Sequence, residues 1–213
     1  MNRRLAAQLA GALLAGALLA GCTSSSGATS TATPTTAELN DRGSSVYQGV
    51  GLTPPQPRPQ FTLRDTSGAS FKFGQATAGK PTLLFFGYTN CPDVCPTTLA
   101  DVANALASVP AALRSKTQVV FVSTDVKNDT AAVLKAYLAK FDTDLPTKFI
   151  GLTGTQSQID AAQVASHITL AEDGGQTHSA EVLLYGSDDY ARVAFLQSNN
   201  ESDQIAHDLK LIG

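Results

Sequence analysis

Cys91 and Cys95 stand in the stretch "FFGYTNCPDVCPTTL", separated by Pro92, Asp93 and Val94, and each is followed at once by a proline. Thiolate is the form of cysteine that binds metal and that exchanges with disulfides. A turn with three intervening residues brings two sulfurs within reach of each other or of one soft metal ion. A purely structural disulfide is the plain alternative, but so small a loop gains little from being closed. The chain has 3 cysteines, 3 histidines and 1 methionine. The methionine is Met1, so any additional soft or borderline donor comes from a histidine.

Each histidine has its own setting. His178 lies in the glycine-containing loop "DGGQTHSA", which leads into an apolar strand and could swing a ring toward the cysteines or leave it solvated. His167, in "SHITL", is expected to pack or cap at a helix end, and His207 to lie on the exposed face of the last helix. Asp93 is expected to be a solvated turn residue, the alternatives being a weak local ligand or a charge that tunes the thiols, with Tyr88, Asn90, Pro92 and Pro96 shaping the loop. The glycines of "DGG" are expected to leave the His178 loop free to move.

The elements that must position these groups are legible as patterns. "PTLLFFGY" is a continuous apolar run, the mark of a strand covered on both faces in a parallel sheet. The cysteines follow it immediately and precede a helix read from Leu99, Val102, Ala103, Leu106 and Val109, with Pro110 as its stop. A thiol at that junction meets the free N–H groups and positive dipole end of the helix, which favour thiolate. "TQVVFVSTD" is a second buried strand and "TAAVLKAYLAKF" a second helix. "KFIGLTG" is either a short strand or a turn, ahead of the helical "TQSQIDAAQVAS". "AEVLLYG" and "ARVAFLQ" predict an antiparallel hairpin and "ESDQIAHDLKLI" a closing helix. "QFTLRDTSGASFKF" predicts a hairpin upstream, with Phe61, Leu63, Phe71 and Phe73 as core candidates. The order is that of an α/β thioredoxin-like fold with an added N-terminal β-hairpin. In such open sheets chemistry sits beyond the carboxyl ends of strands, where the cysteines lie.

Composition limits the rest. The chain of 213 residues is 43% apolar and 15% charged with net charge -3, which gives no reason to expect nucleic-acid binding. Arg3 and Arg4 precede an Ala/Leu/Gly run of about 17 residues, the lower limit for a spanning helix. The run ends in "LAGC" at Cys22, and it reads as an export signal, or alternatively as a permanent anchor. The Ser/Thr-rich stretch that follows is too poor in apolar residues to fold by itself. Residues 1–21 are therefore read as a signal, 22–59 as a tether with an extended, proline-marked lead-in, and 60–213 as one folded domain.

"CPDVCP" after "FFGYTN", then "FVSTDVKNDT", then "THSAEVLLY", in that order, resemble the SCO/SenC family of copper-binding thioredoxin-like proteins, and "LAGC" resembles the bacterial lipobox. The family resemblance implies copper, as Cu(I), Cu(II) or both, held by Cys91, Cys95 and His178. It implies that Asp125 lies near the site without being a ligand. It also implies delivery to the copper-bearing subunit of cytochrome c oxidase, with another copper chaperone as donor. The lipobox implies lipidation of Cys22 and an anchor on the extracytoplasmic face of the bacterial cell membrane. The same two cysteines would equally serve a thiol-disulfide oxidoreductase that reduces the acceptor's cysteines. A peroxidase of the same fold lacks its threonine and cysteine signature here.

Overall fold

The apolar run forms strand β5, Thr82–Gly87, buried at every position in the computed structural model. That model describes residues 38–40, 46–198 and 201–213. The export run, Cys22 and most of the expected tether lie outside the described residues. Alternate side chains of β5 enter two different cores, as a strand with a two-residue period must when both faces are covered. Leu83 and Phe85 join one core with Leu99, Val102 and Leu106, while Leu84 and Phe86 join the other with Leu152, Ile159 and Tyr185.

Among the described residues the sheet has nine strands in the order β1-β2-β9-β8-β5-β6-β7-β3-β4. β5 pairs in parallel with β6, Gln118–Ser123, and β6 in parallel with β7, Ile150–Thr153. On the other side β8, Val182–Tyr185, is antiparallel to β5, and β9, Tyr190–Phe195, is antiparallel to β8. "KFIGLTG" thus contributes a strand. The predicted upstream hairpin is present as β3, Thr62–Asp65, and β4, Ser70–Lys72. Leu63 and Phe73 are buried in the core, whereas Phe61 and Phe71 are half-buried against it, and Phe73 opens the short helix α1, Phe73–Thr77, instead of extending β4.

Two elements depart from expectation. The proline-marked lead-in contains β2, Val50–Pro57, paired antiparallel to β9 and to the short β1, Glu38–Asn40. The sheet therefore begins before the expected boundary at residue 60. Pro110 does end helix α2, Val94–Ser108, but it also caps a further short helix, α3, Ala111–Lys116. A proline has a fixed φ and no N–H, which suits a helix start as well as a helix stop.

Helix α2 buries Leu99, Val102 and Leu106 against β5 and packs on the last helix, α6, Glu201–Ile212. Truncating Leu99, fully buried, would cost about 2–5 kcal/mol. Helix α4, Ala131–Leu138, begins at Thr130, whose side chain accepts from the Val133 N–H. α5, Gln156–Ala165, begins with a capping box formed by Thr155 and Gln158. Among the described residues no helix is long and apolar enough to cross a membrane.

Candidate metal centre

The cysteine loop is built on the end of β5. The Cys91 N–H donates to the Tyr88 carbonyl at 3.4 Å, closing the turn before α2, and the Cys95 N–H donates to Cys91 Sγ at 3.4 Å. Cys91 Sγ thereby accepts one of the N–H groups that a helix start leaves free. Burial opposes ionisation of Cys91, but hydrogen bonds from the backbone of Cys95 and Asp93, and then from the Cys95 and Tyr88 side chains, outweigh it and hold this thiol below its ordinary range. Cys95 is fully buried, and burial pushes its thiol far up. Its sulfur has room because residue 87 is glycine: a Cβ there would stand 2.8 Å from Cys95 Sγ. Both cysteines are free thiols.

The histidine comes from a separate arm between α5 and β8. His178 Nδ1 lies 2.8 Å from the Ser179 carbonyl, which can only accept, so Nδ1 carries the proton and Nε2 keeps its lone pair. Nε2 faces Cys95 Sγ at 3.6 Å. Burial lowers the ring's pKa, with the Ser179 carbonyl acting the other way, and the ring is held neutral, the form that binds metal. Its orientation is fixed by edge contacts with Tyr88, 5.6 Å away at 89°, and Phe85, 6.4 Å away at 65°.

The sulfur and nitrogen are spaced as two ligands of one ion would be. Bonds of about 2.3 Å to sulfur and 2.0 Å to nitrogen at a tetrahedral angle put the donors roughly 3.5 Å apart, close to the separation here. Among the described residues no group of three His, Cys, Asp or Glu side chains stands close enough together to hold a metal ion. The site is thus an open pair of Cys95 and His178 with the half-buried Cys91 at the outer edge.

Among the described hydrogen bonds, none joins the side chain of Asp93, His167, His207 or Asp125 to these donors. Asp93 is exposed and its carbonyl accepts from the Thr97 N–H and hydroxyl. His167 is exposed with a left-handed φ of 56° at the end of α5, and His207 pairs with Asp208 at 2.8 Å. Asp125 is buried and accepts from the backbone and side-chain N–H groups of Asn128, which closes a turn.

Three positioning groups escaped the sequence reading. Asp129, buried, accepts from the Thr89 N–H at 2.9 Å, the Thr89 hydroxyl at 2.5 Å and the Ser123 hydroxyl at 2.6 Å, tying the cysteine loop to the end of β6. Thr124 bonds the His178 arm, and Gly87 clears the inner sulfur. The signal for Thr124 and Asp129 is the polar string "TDVKND" directly after β6, in which Asp125 alone is a sequence candidate; Gly87 carries no such mark. Gly174 and Gly175 adopt φ of 69° and 95° in a tight turn, and Gly175 is buried against Thr124.

Residues 52–212 match the SCO1/SenC family model. A protein of Stutzerimonas stutzeri whose name assigns it copper binding is 33% identical over 156 residues, 70% of this chain and 74% of that protein. Two further curated relatives match over only 52% and 58% of their own length. Among solved structures, Bradyrhizobium japonicum ScoI with copper bound aligns with a TM-score of 0.59 and 32% identity, covering 74% of this chain and 99% of ScoI. Apo Sco1 from Thermus thermophilus aligns with a TM-score of 0.66 and 27% identity, covering 80% and 99%. The α/β sheet with its thioredoxin-like core and the match over residues 52–212 place this chain in the SCO1/SenC family.

Proposed function

We propose that this chain is a membrane-tethered copper metallochaperone that carries the ion between Cys91, Cys95 and His178 and delivers it to the copper-bearing subunit of cytochrome c oxidase. The observation that carries the reading is the lone pair of His178 Nε2 facing Cys95 Sγ at 3.6 Å, beside a second cysteine whose sulfur accepts a helix N–H. Thiolates suit Cu(I), and the added imidazole makes a set that also holds Cu(II). The copper-binding name of one relative and the copper-bound structure of another support the choice of metal. Delivery to the oxidase, with another copper chaperone as donor, follows from the family resemblance. Lipidation at Cys22 and a tether running from it toward β2 would keep the domain on the extracytoplasmic face, where a membrane-bound acceptor is within reach.

A second reading is favoured by the unequal exposure of the two thiols. Half-buried Cys91 is placed to attack an acceptor disulfide as thiolate, releasing one acceptor thiolate that takes up a proton. Cys95, fully buried behind it, would then lose its proton and displace the acceptor's second sulfur. The chain would end with a Cys91–Cys95 disulfide and the acceptor as a dithiol.

Anaerobic titration with Cu(I) and Cu(II) tests the first reading. Wild type should bind both ions, His178→Ala should lose mainly Cu(II), and the double Cys→Ser variant should lose both. Wild type binding no tighter than the double variant sinks the chaperone reading. Retained disulfide exchange in His178→Ala would separate the redox reading from copper carriage.

A further inference from the structure

We propose that the Thr124 hydroxyl is the latch that docks the His178 arm on the end of β6, beside the end of β5 where the cysteine loop begins, a positioning residue that decides whether the imidazole joins the two sulfurs. The inference rests on the copper reading above and concerns how the third donor is kept in place.

Thr124 follows the last residue of β6 and is fully buried. Its N–H donates to the Gly87 carbonyl at 2.8 Å, at the end of β5 where the cysteine loop begins. Its hydroxyl has one proton and two carbonyls within reach, Gly175 at 2.6 Å and Gly87 at 3.2 Å. The shorter bond goes to Gly175, so Thr124 joins the end of β5, through its N–H, to the arm that carries the histidine, through its hydroxyl. The two backbones meet so closely there that a Cβ on Gly175 would stand 2.0 Å from the Thr124 carbonyl oxygen.

Beyond the ring contacts of His178 with Phe85 and Tyr88 and the Gln163 side chain, which bonds Thr169 and Ala171 where the arm begins, the arm is held mostly by bonds within itself. Glu172 and Thr177 exchange backbone hydrogen bonds, Gly175 N–H donates to the Glu172 carbonyl and the Thr177 hydroxyl donates to Asp173, all within the arm. Of the hydrogen bonds described for residues 172–178, those that reach another element are the Thr124–Gly175 bond and the Cys95–His178 contact. Loss of the hydroxyl leaves the Gly175 carbonyl buried without its donor, and the arm then gains by turning it to water. Cu(I) is satisfied by two thiolates, whereas Cu(II) draws on the imidazole nitrogen, so the latch bears on the two ions unequally.

The test uses the full-length chain with Thr124→Val, which keeps the shape and removes the hydroxyl, and Thr124→Ser, which restores it. Cu(I) and Cu(II) affinities are measured by competition, with nitrogen hyperfine coupling of bound Cu(II) as the structural readout. Thr124→Val is expected to weaken Cu(II) binding roughly two- to tenfold, the range set by the net loss of one hydrogen bond. It should reduce the nitrogen coupling, leave Cu(I) binding unchanged and be rescued by Thr124→Ser. Added to His178→Ala it should have no further effect. If Thr124→Val does not fold, Gly175→Ala attacks the same contact from the arm's side and carries the same expectation. Equal loss of Cu(I) and Cu(II), or no change in either while His178→Ala weakens Cu(II), overturns the latch and leaves the copper reading standing. No effect of His178→Ala on Cu(II) overturns the copper ligand set, and the latch with it.

Discussion

Gly87→Ala asks whether the clearance behind Cys95 matters to metal binding more than to folding. The added Cβ would stand 2.8 Å from Cys95 Sγ and 3.0 Å from the nearest atom of the Phe121 ring. Ordinary contact begins near 3.4 Å, so the sulfur or the strand must yield by roughly 0.6 Å. Phe121 is fully buried in an edge-on pair with Phe85, 5.6 Å between ring centres, and has little room to move. Overpacking of this kind costs about 1–3 kcal/mol, or about 3 to 10 °C in Tm for a domain of this size. Metal ligands tolerate displacements of only about 0.2 Å, so copper binding should suffer more than the fold does. The assay pairs Cu(I) competition titration at 20 °C with a thermal unfolding curve of the copper-free protein. The expected result is a folded variant with lowered Tm and Cu(I) affinity reduced at least tenfold. Wild-type affinity in a variant of wild-type Tm would refute the reasoning about sulfur clearance.

Other expectations follow from the same geometry. Asp129→Asn replaces a buried carboxylate that accepts three hydrogen bonds and should cost about 1.5–3 kcal/mol; an unchanged denaturation midpoint contradicts it. One equivalent of iodoacetamide should label half-buried Cys91 and spare fully buried Cys95 until the protein unfolds, read by peptide mass mapping; equal labelling in the native state would count against the inner and outer assignment. Glu201 is buried, and burial, with the Asp101 charge second and a backbone hydrogen bond from Ser198 opposing them, raises its pKa to about 7. A folded-state pKa above the unfolded one means the protonated form stabilises the fold at low pH, and that stability is lost as pH climbs from about 4.5 through 7. Discounted for screening at the helix end, the loss is about 1–2 kcal/mol, so Glu201→Gln should be the more stable form at pH 8 and should flatten the slope between pH 5 and 8. Parallel pH profiles for the two proteins in denaturant unfolding contradict this.

What the sequence made legible follows the range of the forces involved. β5 could be read because burial on both faces leaves an unbroken apolar run, and α6 spans the same residues, Glu201–Ile212, as its helical pattern. β2 was hidden because Pro54, Pro55 and Pro57 interrupt the strand pattern, while its partner β9 lies more than a hundred residues away in the chain. α3 was hidden because a proline that stops one helix can start the next. The site divides in the same way. The spacing of Cys91 and Cys95 is local and visible, and their place at a strand-to-helix junction follows from it. The approach of His178 to Cys95 spans 83 residues, and the bonds of Thr124 to Gly175 and Asp129 to Thr89 span 51 and 40. Such contacts are products of the assembled sheet, and short polar residues after a strand announce them only by type.

The most direct measurement is copper K-edge X-ray absorption on the copper-loaded full-length chain, with His178→Ala alongside. Two sulfurs and one imidazole nitrogen around the ion in wild type, with the nitrogen absent in His178→Ala, is the result expected from Cys91, Cys95 and His178. A first shell without sulfur, or one that is identical in the two proteins, would contradict it.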